Sequence, residues 1–176
     1  MRAFIAIELP DEIRGAIYSL GLKVPGKISR VAEQNIHITL QFLGDISEGD
    51  AESVMGAVKG IRVEKFTAKA DGISYFGGRD IHTVYAKITD NGEITGIYSK
   101  LHAALSKCGI KVEQDRQYIP HATIARVKQE NAELRKFIGQ NSSHYFGSFE
   151  VTSICIMESI LTEKGPEYTK ILEQSI

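Results

Sequence analysis

Long hydrophobic runs are missing from this sequence: none reaches ten residues. That excludes a helix long enough to span a membrane. An excess of charge of one sign is missing too. Lys and Arg number 21 against 22 Asp and Glu, a formal charge of −1. No global basic field announces a long nucleic acid, and only a local groove or a small nucleotide end stays open. Cysteine is scarce. Cys108 and Cys155 stand far apart with no Cys-x-x-Cys and no Cys/His ligand spacing, so they are read as two buried free thiols in a reducing cytoplasm. Low-complexity segments and linkers are absent. The opening MRAFIAIELPDE lacks the long apolar core and small-residue cleavage site of a signal peptide, and is read as a first strand. A cytoplasmic location without membrane partners is therefore expected.

What is present suffices for a sizeable core: 176 residues, 43% hydrophobic and 24% charged. The apolar spacing predicts strands over 2–8, 36–43, 63–75, 82–88, 110–113, 121–127, 144–157 and 167–173. The same reasoning gives helices over 11–22, from a cap at Asp45 or Ser47 to Lys59, from Asn91-Gly92 to Lys107, and over 130–139. Strand pairs mixed with helices do not give the regular alternation of a doubly wound sheet. The expected class is α+β with a mainly antiparallel sheet.

One motif occurs twice. His37-Ile38-Thr39-Leu40 returns as His121-Ala122-Thr123-Ile124, each at the start of a predicted strand and each ahead of a predicted helix. Two structural halves are implied, each offering one motif across a cleft. Side chains alternate along a strand. His37, Thr39 and Gln41 should therefore share one face, with Ile38, Leu40 and Phe42 on the other. In the second copy His121, Thr123 and Ala125 oppose Ala122, Ile124 and Arg126.

Two imidazoles can divide general-acid and general-base duty near neutral pH. Two hydroxyls can hold an anion. A phosphodiester suits the set, because in-line displacement needs a base for water on one side and an acid for the leaving oxygen on the other. Two other readings stand beside this one: hydrogen-bonded core histidines, and a zinc site on His37 and His121, which lacks an evident third ligand.

These residues resemble the 2H phosphoesterases, and among them the RNA 2′,3′-cyclic phosphodiesterases of the LigT-like, or 2′-5′ RNA ligase, family. The resemblance rests on RAFIAIELPDEI, NIHITLQFLGDI, YIPHATIARV and the closing SILTEKGPEYTKI, and covers nearly the whole chain. It implies a bilobal α+β fold, two pseudo-two-fold-related lobes with largely antiparallel sheets flanking a cleft, as a single domain of two intertwined lobes over 1–176. It implies hydrolysis of RNA 2′,3′-cyclic ends to 2′-phosphomonoesters without metal or cofactor, with His37 the proton donor, His121 the acceptor, and Thr39 and Thr123 holding the phosphate. Run in reverse, such a site joins RNA by a 2′-5′ linkage. The alternative is a nucleotide-binding module with little or no turnover. Expected partners are RNA ends, tRNA fragments among them, and the expected state is a monomer.

Other residues carry weaker expectations. Arg126 matches a family position linked to phosphate, although ideal alternation turns it away from His121. Phe4 is placed for stacking on a base or for core packing. Tyr118 and Gln41 are cleft neighbours, and Tyr75, Phe76 and Arg79 a cleft rim. His82, His102 and His144 match no motif and are read as structural or surface residues. Lys23, Lys27, Arg30, Arg116, Lys128, Arg135 and Lys136 are scattered cations, the candidates for wider RNA contacts.

Overall fold

A computed structural model describes residues 1–113, 117–163 and 165–176. In chain order the elements are β1 (Arg2–Glu8), α1 (Asp11–Gly21), β2 (Lys27–Arg30), β3 (His37–Asp45), α2 (Glu48–Lys59), β4 (Phe66–Gly77), β5 (Ile81–Thr89), α3 (Glu93–Lys107), β6 (His121–Gln129), α4 (Ala132–Gln140), β7 (Tyr145–Val151), β8 (Ser153–Thr162) and β9 (Gly165–Ser175). A 3₁₀ turn at Glu33–Asn35 leads into β3. The class is α+β, and every strand pairing among the described residues is antiparallel.

Local chemistry sets the helix ends. Ser47 closes a capping box with Asp50: its hydroxyl accepts from the Asp50 amide at 3.1 Å, and the Asp50 carboxylate accepts from the Ser47 amide at 3.2 Å. Asp90 accepts from the Ile94 amide at 2.6 Å at the start of α3, and Asn131 caps α4 through the Leu134 amide at 3.0 Å. Among the described residues no helix is long and apolar enough to cross a membrane.

The sheet order is β7-β4-β5-β6-β3-β1-β8-β9, with β2 on β6. This order is symmetric about the junction of β6 and β3. The unit β1-α1-β3-α2 on one side has its counterpart in β5-α3-β6-α4 on the other. At the junction the pairing is Ile38 to Ala122, the middle residues of the two motifs. A pseudo-two-fold axis therefore passes between the motifs. The helices cross it: α1 packs on β6 and β7, and α3 packs on β3 and α2. Ile38, Leu40, Ile97, Leu101, Leu105 and Ile124 are fully buried between sheet and helices.

Two expected elements differ. The single strand over 144–157 is two strands. Only Thr152 separates β7 from β8, yet β7 pairs with β4 and β8 with β1. One run of chain thus serves both halves, as the edge strand β7 of one and as β8, between β1 and β9, of the other. Residues 110–113 form no strand: the Ile110 amide donates back to the Leu105 carbonyl at 3.0 Å, and the Glu113 carbonyl accepts from the Gln41 side chain at 3.0 Å. The short strand β2, too polar for its alternation to show, was not expected.

Candidate active site

Two matched bulges build the site. Thr39 pairs with Ala6 and Gln41 with Ile5, leaving Leu40 as an extra residue on β3. Thr123 pairs with Tyr85 and Ala125 with Val84, leaving Ile124 as an extra residue on β6. A bulge shifts the side-chain alternation by one. Gln41 and Ala125 consequently turn inward and are buried, while Phe42 and Arg126 turn to the His/Thr face and are exposed. This corrects the ideal alternation at both copies. Phe42 does not face away with Ile38 and Leu40, Gln41 does not face the cleft, and Arg126 joins His121 and Thr123. The bulge on β6 also makes room for β2, since Val31 donates to the Ile124 carbonyl at 2.9 Å. The C-terminal turn of α1 presses on the same bulge. A Cβ built on Gly21 would stand 2.9 Å from Ile124 Cγ2.

The two strands meet antiparallel at Ile38 and Ala122, which puts His37 on the Thr123 side and Thr39 on the His121 side. The four groups form two crossed His/Thr pairs. Both imidazoles are held alike. His37 Nδ1 lies 2.7 Å from the Asn35 carbonyl, and His121 Nδ1 lies 2.7 Å from the Ile119 carbonyl. A carbonyl only accepts, so each Nδ1 carries its hydrogen and each Nε2 is the working atom. In the neutral ring His37 Nε2 accepts from the Thr39 hydroxyl at 2.9 Å.

Aromatic rings fix the imidazoles further. Phe4 stacks on His37 at 4.8 Å, and Tyr168 meets His37 edge-on at 5.5 Å. Phe76 and Tyr85 stand edge-on to His121 at 4.7 and 5.3 Å. Burial lowers the His37 pKa from its usual 6.5, and the nearby His121 charge lowers it again. The Asn35 carbonyl and Glu8 pull the other way.

A cavity of about 500 Å³ opens on this face. His37, Thr39, Thr123, Phe42 and Arg126 line it, with Gln34, Asn35 and the β8–β9 hairpin as a further wall. His121 is not among its wall residues. It stands beside the Thr39 end, against Phe76 and Tyr85.

The chain belongs to the 2′-5′ RNA ligase superfamily, whose sequence model matches residues 10–162. It is 32% identical over 177 residues to an RNA 2′,3′-cyclic phosphodiesterase of Methanocaldococcus jannaschii, covering 98% of this chain and 99% of that protein. To the RNA 2′,3′-cyclic phosphodiesterase of Archaeoglobus fulgidus it is 29% identical over 171 residues, 96% of each chain. The crystal structure of TT0787 of Thermus thermophilus superposes with a TM-score of 0.84 at 26% identity, over 99% of this chain and 97% of that one.

The remaining expected residues fall into place differently. Phe4 lines the cavity but is only 4% exposed, and it stacks on His37, so core packing and contact with the site coincide there. Tyr118 is not in the cavity wall. Its hydroxyl donates to the Thr39 carbonyl at 2.8 Å and its ring stacks on Tyr98 at 4.2 Å, which fixes β3 where it parts from β6. Tyr75 and Arg79 are tied to Arg135 by its guanidinium, at 3.4 Å to the Tyr75 hydroxyl and 2.8 Å to the Arg79 carbonyl. Arg135 is also paired with Glu130. Arg30 lines the cavity, but its guanidinium donates to the Gly21 and Val24 carbonyls at 2.9 and 3.2 Å and so closes the end of α1. Arg116 lies outside the described residues. His82 and His144 are exposed, and His102 packs beside Tyr98. Cys155 is buried as expected, with its thiol pushed up to about 12 by burial and by Glu8, whereas Cys108 is exposed because it ends α3 on the solvent side.

The group with metal-like spacing among the described residues is Glu8, Cys155 and Glu173, whose donor atoms lie within 4.8 Å of one another. Lys170 already sits on it, 2.5 Å from Glu8 and 3.0 Å from Glu173. An ammonium bound to both carboxylates leaves this group a poor ion site.

Sequence reasoning missed Phe42, Tyr168, Asn35 and Tyr85. Tyr168 lies in the closing Gly…Tyr segment and was visible there. For Phe42 the signal was the alignment of LQF with IAR after the two motifs.

Proposed function

We propose that this chain hydrolyses 2′,3′-cyclic phosphate ends of RNA to 2′-phosphomonoesters by two-histidine acid–base catalysis. The observation that carries the reading is the pair of crossed His/Thr sets with both Nδ1 atoms held by carbonyls. The names of the two relatives support the substrate class.

In the reacting state His37 is protonated and His121 is neutral. Protonated His37 no longer accepts from Thr39, so the Thr39 hydroxyl is released to donate to a non-bridging phosphate oxygen, and Nε2–H is left for the leaving oxygen. Thr123 donates to the other non-bridging oxygen. Water attacks phosphorus in line and gives its proton to His121 Nε2. The P–O3′ bond breaks, and His37 Nε2–H protonates the departing 3′-oxygen. The two imidazoles exchange protons with solvent to restore the starting state. Every proton is handled by these side chains, so the proposed step calls for no metal. The same steps in reverse, with a 5′-hydroxyl in place of water, form a 2′-5′ bond.

The reading also takes the chain to act as one domain and as a monomer in the cytoplasm. Helices α1 and α3 pack across the pseudo-two-fold, which favours a single folding unit. The test is product analysis on RNA with a 2′,3′-cyclic end in excess EDTA. A 2′-phosphate product is expected from the native protein, and loss of nearly all turnover in His121→Ala. Tight nucleotide binding without turnover would instead mark a binding module.

A further inference from the structure

Among the described residues three polar side chains are buried: Asn35, Gln41 and Thr83. Asn35 is 8% exposed and bonds in two directions. Its backbone carbonyl holds His37 Nδ1 at 2.7 Å. Its side-chain Nδ2 donates to the Pro166 carbonyl at 2.7 Å, 131 residues further along the chain. A buried amide that lost this acceptor would have no water to replace it.

The strand register alone would keep Asn35 and Pro166 far apart. Asn35 precedes His37, which pairs with Glu8 at the end of β1. Pro166 pairs with Leu161, beyond Glu158, and Glu158 is the partner of Ala3 at the start of β1. A flat sheet would separate the two residues by more than ~20 Å. The outer part of the β8–β9 hairpin therefore curls diagonally back over the His/Thr face. In this arm residues 159–162 pair with β9 alone. Ile160 and Leu161 are 51% and 81% exposed, so their side chains do not anchor it in a core. Asn35 ties the arm down, and Tyr168 on the arm stands edge-on to His37 at 5.5 Å.

The other half is built differently at this point. The carbonyl that holds His121 Nδ1 belongs to Ile119, which is 39% exposed and has no side-chain donor. The Asn35–His37 bond is half-buried, whereas the Ile119–His121 bond is exposed. Two imidazoles held by the same contact thus differ in their access to water.

We propose that Asn35 is the positioning residue that makes His37 the proton donor. Its carbonyl fixes the Nδ1–H tautomer, its amide latches the β8–β9 arm across the same ring, and the latched arm keeps bulk water from His37. The inference rests on the proposed cyclic phosphodiesterase reading and explains its division of labour. With water kept away, His37 Nε2–H has the leaving oxygen as its acceptor. As the P–O3′ bond breaks, that proton passes to the 3′-oxygen. The attacking water enters on the open side and gives its proton to His121.

Two phosphodiesters test it: a nucleoside 2′,3′-cyclic phosphate, whose 3′-oxygen departs with a proton, and bis(p-nitrophenyl) phosphate, whose leaving group needs none. Asn35→Ala and Asn35→Asp remove the donor to Pro166 and keep the backbone carbonyl. Each should lower kcat on the cyclic phosphate roughly tenfold, the worth of one buried hydrogen bond, with KM nearly unchanged. Most of the rate on bis(p-nitrophenyl) phosphate should remain. Hydrogen exchange at the Tyr168 amide should quicken in Asn35→Ala as the arm is released. Tyr168→Leu opens the same cover with the latch in place. It should show the same dependence on leaving group, and it keeps the inference testable if the Asn35 variants unfold. Equal losses on both substrates, a native kcat on the cyclic phosphate in Asn35→Ala, or unchanged exchange at Tyr168 overturns the inference and leaves the underlying reading standing. No turnover of the cyclic phosphate by the native protein overturns both.

Discussion

Strands β3 and β6 are the same device built twice, and their differences lie at the margins. Both begin on a histidine whose Nδ1 is held by the carbonyl two residues before it. Both bulge one residue after the threonine. The neighbours across the strands differ. Glu8 on β1 pairs with His37, and Lys87 on β5 pairs with His121. The exposed residue past the bulge is apolar in one half and cationic in the other. In the proposed reaction the duplicated frame supplies two equivalent proton carriers, and single substitutions around it make one an acid and the other a base.

The largest effects test whether the halves have diverged in role. His37→Ala and His121→Ala should each reduce kcat/KM on a cyclic phosphate by ~10²–10⁴-fold, and the double variant should lose little more than the worse single one. A phosphodiester with a p-nitrophenolate leaving group separates the roles. That group departs without a proton, so His37→Ala should recover most of its rate on it and His121→Ala should not. Equal recovery in both would make the halves interchangeable. Next in size, Thr39→Ala and Thr123→Ala each remove one hydroxyl from a charged oxygen, worth about 1.5–3 kcal/mol, or roughly 10- to 100-fold in kcat. Thr→Ser at either position should keep most of the rate.

Much of this comparison was legible in the chain itself. The two His-x-Thr copies, their strands and the helices after them follow from period-two and period-3.6 spacing, and those elements are present. The bulges were not legible, because Leu40-Gln41 and Ile124-Ala125 carry no glycine or proline to mark an extra residue. That one omission misplaced Gln41, Phe42 and Arg126 together, since a slip of one residue reverses every later side chain. Tyr118 was misread for a different reason. Its partner is a backbone carbonyl, and no side-chain pattern reports that. The break at Thr152 was hidden because the residues on both sides favour strand, and only the tertiary path sends them to opposite halves.

Stability variants probe the frame that both halves share. Gly21→Ala brings a methyl to 2.9 Å from Ile124 Cγ2, against the bulge of β6. Overpacking of that kind costs about 1–3 kcal/mol, and the expected outcome is a lower Tm together with reduced turnover. Gly56→Ala on α2 meets nothing within 4 Å and serves as the control. Tyr118→Phe removes the bond to the Thr39 carbonyl, worth about 1 kcal/mol. If that bond positions Thr39, kcat falls more than the melting temperature alone accounts for, and the first motif suffers where the second does not.

The smallest effect comes from the titration of His37. Its pKa in the folded protein is lowered by burial and by His121, so the folded state resists the proton that the unfolded chain takes up near 6.5. In the window between the folded pKa and 6.5 the unfolded state binds more protons, and stability falls as pH falls. The contribution of neutral His37 is fully present above 6.5. Thermal melts from pH 7.5 to pH 5 should therefore show a decline that is shallower in His37→Gln. The same lowered pKa should appear in catalysis as an apparent pKa below 6.5 in the bell-shaped profile of kcat/KM, a property of the histidine pair as a whole. Glu8 raises the proton affinity of His37, so Glu8→Gln should move that apparent pKa further down.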